Sequence, residues 1–134
     1  MLLPELDAIN EPFWTGGRRG ELLIARCDAC GTWIHPPAPY CTGCGGREVS
    51  PRPVCGRGVV YSFTVNQMPW VEGNGEWQRV IALVELDEQR ALRVLTNLVD
   101  CDDATLVAGL PVEVTFRAIE DVHLPVFRPM RPSG

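Results

Sequence analysis

The second half of the chain alternates between apolar and polar positions, which predicts β-structure. In the stretch that begins at Gly58, the side chains of Val59, Tyr61, Phe63 and Val65 occupy every second position. A period of two is typical of a strand with one buried face. We therefore expect these four side chains to point toward a core.

Four further stretches complete the predicted sheet. Residues 80–86 are nearly all apolar, as in a strand that is covered on both sides, and a polar turn at 87–90 leads into a return strand over 92–99. A fourth strand alternates over 112–118, and a short fifth over 122–127 contains Pro125, which predicts a sheet edge. The acidic segment before Gly109 allows at most one helical turn. Five strands with a short helical insertion after the third are the plan of an OB-fold.

The first quarter of the chain has a different pattern. Asn10 can cap a short helix whose first turn holds Glu11 and Pro12, and Gly16 follows closely enough to end it. On this helix Phe13 and Trp14 are too apolar to remain in water, so we expect them to contact the body of the protein or a partner.

Two short strands are expected to flank the cysteine-rich segment, over residues 21–26 and 47–49. Pro51 and Pro53 then mark a linker, because two prolines so close together are unfavourable inside a sheet. The predicted organisation is mainly β. From the amino end it comprises a helix and lead-in strand over 1–25, a cysteine-rich ribbon over 26–50, the OB-fold over 54–128 and a flexible tail over 129–134.

Composition and charge limit the possible partners and location of the protein. The chain has 134 residues, with 12 basic and 17 acidic side chains and a net charge of -5, which disfavours nucleic acid as the main partner. No signal-peptide pattern and no apolar run of about 20 residues is found, so we expect a cytoplasmic protein that does not bind membranes. In a reducing cytosol, closely paired cysteines favour metal ligation over disulfides.

Four cysteines form two pairs of that kind. Cys27 and Cys30 are separated by two residues, as are Cys41 and Cys44, and a glycine follows each pair. This spacing lets a tight turn present two thiolates to one metal, and two turns complete a tetrahedron with no open position. The pattern predicts one structural zinc ion in a rubredoxin-like ribbon, with iron as the alternative that tetrahedral thiolate also suits.

The remaining reactive side chains do not form a catalytic motif. His35 lies between the two pairs, beside two prolines, and we expect an exposed ring that is not a ligand. Cys55 and Cys101 have no paired neighbour, so both are expected to be small buried apolar residues. The chain has no lysine and no glycine-rich phosphate loop, which leaves little support for catalysis.

Six segments resemble, in the same order, a family of small proteins that combine a rubredoxin-like zinc ribbon with an OB-fold. They are PFWTGGRRGELLIARCDACG, HPPAPYCTGCG, CGRGVVYSFTVN, VIALVELDE, LRVLTNLV and GLPVEVTF, and the likeness extends from about Pro12 to Pro129. The family resemblance implies an accessory subunit in acyl-CoA metabolism. Its members bind thiolase-fold enzymes, including thiolases and steroid side-chain retro-aldolases, and some accompany enoyl-CoA hydratases or hold part of CoA. At Cys55 the family more often has a small hydroxyl residue.

The resemblance therefore implies a non-catalytic, zinc-binding subunit of a symmetric hetero-oligomer with a thiolase-fold enzyme, which supports acyl-CoA binding in steroid side-chain or fatty-acid degradation. Arg57, between two glycines, and Arg79 are the candidates for contact with CoA phosphates, because guanidinium groups match phosphate oxygens. The loop over 67–78 is long for a hairpin and carries Trp70 and Trp77, which, with Phe13 and Trp14, are the candidate partner contacts.

Two other classes of function stay open from the sequence. A single-stranded nucleic-acid module also combines a zinc ribbon with an OB-fold, but it needs a basic groove with stacking aromatic side chains. A rubredoxin-like electron carrier would hold iron in the same four thiolates and would be coloured.

Overall fold

The computed structural model describes residues 6–65, 79–120 and 122–130, and within these ranges the chain is mainly β, as predicted. One α-helix precedes eight strands. They are α1 (Glu11–Thr15), β1 (Leu22–Cys27), β2 (Trp33–Ile34), β3 (Val49–Val54), β4 (Arg57–Val65), β5 (Val80–Leu86), β6 (Arg93–Leu98), β7 (Pro111–Ile119) and β8 (Val122–Pro129).

Helix α1 begins after Asn10 and runs into a short 3₁₀ turn over Gly16–Arg19, which confirms a brief helix at this position. The Asn10 side chain does not cap it: its Oδ1 atom accepts a hydrogen bond from the Asp7 N–H at 2.8 Å instead. Among the described residues, no helix combines the length and apolar character that crossing a membrane requires.

The cysteine-rich segment is built on a three-stranded antiparallel sheet in the order β2-β1-β3. Pro51 and Pro53 lie within β3, opposite Ala25 and Leu23 of β1, so the predicted linker is wrong. The Asp28 N–H donates to the Glu48 carbonyl at 2.7 Å, which sets the alternation of the ladder. By this alternation both proline nitrogens face away from β1, and no ladder hydrogen bond is lost.

Strands β4 to β8 form a closed five-stranded barrel in the order β4-β5-β6-β8-β7, which confirms the OB-fold. The predicted helical insertion is a single 3₁₀ turn over Asp103–Thr105. Pro125 lies inside β8 in the closed barrel, so the edge expected from it is wrong.

The seam between β6 and β8 explains how the barrel accommodates Pro125. These two strands pair at one position, Leu98 with Phe127, where the Val99 N–H donates to the Phe127 carbonyl at 2.8 Å. Pro125 lies two residues before Phe127, so its nitrogen faces the same seam, where an N–H would otherwise be needed. The Thr96 hydroxyl replaces part of the missing ladder by donating to the Pro125 carbonyl at 3.0 Å.

The first part of strand β4 buries the face opposite to the one predicted, whereas Val65 at its end packs against the core as expected. Gly58 and Val60 are buried, whereas Tyr61 and Phe63 are 50% and 39% exposed. The pairing with β5 shifts between Val60 and Ser62, which is a β-bulge that interrupts the alternation. A side chain at position 58 would run into the Glu85 carbonyl oxygen, so glycine is required where β4 and β5 approach closely.

The ribbon and the barrel share one core. Phe13, Leu22 and Ile24 are buried in the same cluster as the barrel side chains. The turn between β5 and β6 adds a polar contact, because the Gln89 side chain accepts from the Trp33 N–H at 2.9 Å and donates to the Trp33 carbonyl at 3.0 Å. Gln89 thus occupies the outer edge of β2 and attaches the ribbon to the barrel.

Candidate metal centre and neighbouring surfaces

The two cysteine pairs lie on two turns of the same geometry. The first follows β1, where the Gly31 N–H donates to the Cys27 carbonyl at 2.9 Å, and the second is closed by the Gly45 N–H and the Cys41 carbonyl, also at 2.9 Å. Both glycines adopt a positive φ, of 80° and 77°. Glycine takes this conformation without strain, so each turn can bring its two sulfurs to one point.

The four sulfurs form a cluster of tetrahedral dimensions. All four ligand atoms lie within 4.8 Å of one another, and the separations are 3.7 Å for Cys27 and Cys44 and 3.6 Å for Cys30 and Cys41. A tetrahedral zinc with bonds of about 2.3 Å separates its sulfurs by about 3.8 Å. The cluster therefore fits zinc, and the four cysteines form one structural zinc site, as predicted.

Neighbouring donors stabilise the thiolate form of two ligands. Hydrogen bonds from the Thr32 side chain and backbone lower the pKa of Cys30 to about 6, and the hydroxyl lies 3.1 Å from the sulfur. The backbone N–H of Cys44 lowers the pKa of Cys41 by donating to its sulfur at 3.3 Å. Thiolates are the form that binds zinc, so the local backbone prepares the site for the metal.

The pKa of Cys44 shows why a cation is needed to stabilise four thiolates in this cluster. The Gly46 N–H favours its thiolate, but the sulfurs of Cys30, Cys27 and Cys41 outweigh this contact and raise the pKa of Cys44 to about 11. Four adjacent thiolates repel one another, and a divalent cation at their centre removes the repulsion. All four coordination positions are then filled by sulfur, which leaves no position for a substrate.

His35 is largely buried, so the expected exposed ring is wrong. Its ring lies 4.8 Å from the Phe13 ring, and its Nδ1 atom is buried without a hydrogen-bond partner in the described structure. Burial lowers the pKa of His35 from 6.5 to about 4. His35 is therefore a neutral packing residue between α1 and the ribbon.

This burial predicts an acid-dependent loss of stability. Because the unfolded chain binds a proton near pH 6.5 and the folded chain only near pH 4, the contribution of His35 is complete above pH 6.5 and declines as the pH falls between these values. We expect the free energy of unfolding of the wild type, relative to His35→Phe, to fall by about 1 kcal/mol per pH unit in this window. Urea unfolding of both proteins at pH 7, 6, 5 and 4 measures the difference between their free energies of unfolding. The pH effects of the carboxylates and thiolates that both proteins share cancel in this difference. A constant difference would contradict the prediction.

The two unpaired cysteines differ from each other. Cys55 is exposed, so its predicted burial is wrong, and Cys101 is partly buried against the core. Partial desolvation raises the pKa of Cys55, and the nearby carboxylate of Glu88 acts in the same direction. A raised pKa disfavours the thiolate, so Cys55 is not an activated nucleophile.

The structure separates the two candidate arginines. Arg57 opens β4, next to Leu86 at the end of β5, whereas Arg79 directly precedes the start of β5, which pairs with the end of β4 at Val65. The nine residues of β4 span roughly 26 Å at about 3.3 Å per residue. Arg57 and Arg79 therefore lie at opposite ends of the barrel strand.

The four candidate partner contacts differ in where the structure places them. Phe13 is 6% exposed and packs into the core of this chain, edge-on against Trp14, so it contacts the body rather than a partner. Trp14 is partly exposed. Trp70 and Trp77 lie outside the described residues.

Sequence reasoning missed an exposed surface on β4 and β6. The Arg93 guanidinium lies 3.6 Å from the centre of the Tyr61 ring and pairs with Glu85 at 3.3 Å. Leu95, two residues further along the same face of β6, is 72% exposed. We call Tyr61, Arg93 and Leu95 the barrel face. Leu95 directly follows the apolar Val94, so the sequence gave no local signal of its exposure.

Comparison with known proteins decides the family. Residues 14–50 match the ChsH2 rubredoxin-like zinc ribbon domain, and residues 51–117 match the ChsH2 C-terminal OB-fold domain. The chain belongs to the ChsH2 family. The two matches are consecutive and follow the order of the ribbon and the barrel.

Relatives in this family carry names of two kinds. The "Probable enoyl-CoA hydratase alpha subunit" of Thermomonospora curvata is 36% identical over 97% of this chain, and the "3-oxo-4,17-pregnadiene-20-carboxyl-CoA hydratase alpha subunit" of Mycobacterium tuberculosis is 35% identical over 96%. This chain spans 40% of the length of each. A "DUF35 domain-containing scaffold protein" of Methanocaldococcus jannaschii is 31% identical over 75% of this chain and 70% of that protein.

A solved structure has the same ChsH2 architecture. A chain of the structure described as "Ltp2-ChsH2(DUF35) aldolase" matches with a TM-score of 0.79 and 36% identity, over 95% of this chain and 98% of that one. The likeness therefore covers the ribbon and the barrel together. These hydratase and aldolase relatives are subunits of complexes with a catalytic partner.

Proposed function

We propose that this chain is a non-catalytic accessory subunit that binds a thiolase-fold enzyme and supports its use of an acyl-CoA. The observation that carries the proposal is the match, over nearly the whole chain, to a ChsH2 chain of an aldolase complex. The similar chain named a scaffold protein supports a role in assembly. We further propose that the complex is a symmetric hetero-oligomer. The names of the hydratase subunits support a setting in steroid side-chain or fatty-acid degradation.

The chemistry of the site supports a structural role for the metal. Four sulfurs fill the coordination of a tetrahedral zinc, so the ion has no position at which to activate water or polarise a carbonyl. The ribbon is held to the barrel by a shared core and by Gln89. The zinc therefore makes the ribbon a rigid extension of the barrel.

The barrel face supports contact with a protein partner. Leu95 and Tyr61 are 72% and 50% exposed, and Arg93 stacks on the Tyr61 ring. Aromatic and arginine side chains are enriched at the centres of protein interfaces. The stacked pair is already ordered, which lowers the entropic cost of binding. We propose that the barrel face contacts the catalytic subunit, with Trp14 as a further contact.

Co-purification with a thiolase-fold aldolase from the same genome tests the function. The tagged, zinc-loaded chain and the aldolase are co-expressed and analysed by affinity and size-exclusion chromatography, followed by a turnover assay with an acyl-CoA substrate. We expect both chains to elute together and the turnover of the aldolase to increase, while this chain alone has none. A chain that stays monomeric, leaves the aldolase unchanged and binds no CoA ester would refute the proposal.

Two matched substitutions locate the interface. Leu95→Asp places a charge on the barrel face, whereas Val107→Asp places one at another exposed apolar position, 54% exposed. We expect the first to abolish co-elution, because a buried unpaired charge is costly, and the second to preserve it. Co-elution that persists with Leu95→Asp would exclude the barrel face as the interface.

A further inference from the structure

A cavity of about 470 Å³ lies beside the β6–β8 seam, where β5 begins and β6 ends. Its size falls within the range of about 300 to 1,000 Å³ that small-molecule sites occupy. Part of its wall is apolar, formed by Leu98, Val99, Phe116 and Val126. The cavity is separate from the zinc site and from the barrel face.

Two arginines line this cavity from opposite sides of the seam. Arg79 directly precedes β5, whose first residue, Val80, pairs with Leu98 of β6. Arg117 lies in β7 and pairs with Leu124 of β8. The fold therefore brings together two cations that are 38 positions apart in the sequence (117 minus 79).

The charges in the cavity oppose the charge of the whole chain. Among the described lining residues, Arg79 and Arg117 are cationic and Asp100 is anionic, which leaves one positive charge in a chain of net charge -5. Thr115 adds a hydroxyl group to the lining. Both arginines also have interactions within the chain, so an anion joins or displaces an existing partner.

We infer that this cavity binds a phosphate group of the nucleotide end of an acyl-CoA, between Arg79 and Arg117. Two guanidinium groups can share the oxygens of one phosphate, and each forms charge-assisted hydrogen bonds with fixed geometry. The apolar wall beside them offers a surface for the adjoining nucleoside. The identity of the ligand rests on the proposed function, whereas the placement of the site rests on the two arginines. Arg57, at the other end of β4, is left outside this site.

Calorimetric titration of the zinc-loaded chain with CoA, dephospho-CoA and inorganic phosphate tests the inference. We expect CoA to bind, inorganic phosphate to compete, and Arg79→Gln and Arg117→Gln each to weaken CoA binding about tenfold, because each removes a charge-assisted contact. Arg90→Gln is the matched control: Arg90 is exposed in the turn between β5 and β6, and its loss should change the affinity less than about twofold. Weaker binding of dephospho-CoA would assign the site to the 3′-phosphate, and equal binding would assign it to the pyrophosphate.

Three results would overturn the inference: no CoA binding, no effect of either substitution, or an effect of only one of them. The first would show that the cavity is not a ligand site, and the others that the arginines do not act together. Size-exclusion chromatography of the wild type and the same variants with the aldolase distinguishes failure of the phosphate site from failure of the proposed function. Association that persists without CoA binding overturns the phosphate site alone, whereas loss of association in the wild type overturns the accessory role.

Discussion

Replacing Cys27 with serine abolishes stoichiometric zinc binding and unfolds the ribbon. Cys27 is 1% exposed, ends β1 and lies 3.7 Å from the Cys44 sulfur, so its loss opens the tetrahedron and leaves a hydroxyl group in the interior. Structural zinc contributes a folding free energy of order 10 kcal/mol in small domains. Metal analysis of the purified protein should fall from one equivalent to near zero, and thermal unfolding should lose its native transition.

Cys55→Ser is the matched control for this experiment. It removes a thiol of the same size from an exposed position in the connection between β3 and β4, outside the sulfur cluster. We expect it to retain one equivalent of zinc and the wild-type melting temperature. If Cys27→Ser also retained both, the four sulfurs would not form the metal site.

Replacing Phe127 with alanine lowers the free energy of unfolding by about 3 to 5 kcal/mol, the usual cost of deleting a fully buried aromatic ring. Phe127 is 0% exposed and lies at the single position where β6 and β8 pair. The cavity left by the ring would lie at the β6–β8 seam, where the barrel has the fewest paired residues between neighbouring strands. Urea unfolding of the zinc-loaded protein measures this loss.

Leu95→Ala serves as the comparison, because Leu95 is a large apolar residue of the neighbouring strand that is 72% exposed. We expect its free energy of unfolding to stay within about 0.5 kcal/mol of the wild type, since surface positions contribute little to stability. A loss of similar size in both variants would mean that burial at the seam does not determine the stability of the barrel.

Local patterns in the sequence predicted most of the strands and the metal site. The doubled cysteine spacing and the following glycines determine the sulfur cluster within two turns, so no distant contact is needed to infer it. The apolar run of β5 likewise predicts a strand without exposed residues: one of its faces is buried and the other is partly buried.

The errors share a physical cause: each depends on what a strand meets from elsewhere in the chain. In β4 both faces carry apolar residues, so periodicity alone did not select the buried face, and the bulge after Val60 interrupts the alternation. Pro51 and Pro53 are compatible with β3 because no strand in the described part of the chain pairs with its outer side. The approach of Arg79 to Arg117 depends on barrel closure, which no local window reveals.

The edges of the ribbon sheet limit how another protein can recognise it. Pro51 and Pro53 leave the outer side of β3 without N–H groups at two alternate positions, and Gln89 already satisfies both backbone groups of Trp33 on the outer side of β2. A foreign β-strand therefore finds few main-chain donors and acceptors to extend this sheet. Specificity for the ribbon must then come from side chains on its surfaces. The blocked edges protect the ribbon from promiscuous strand addition and aggregation.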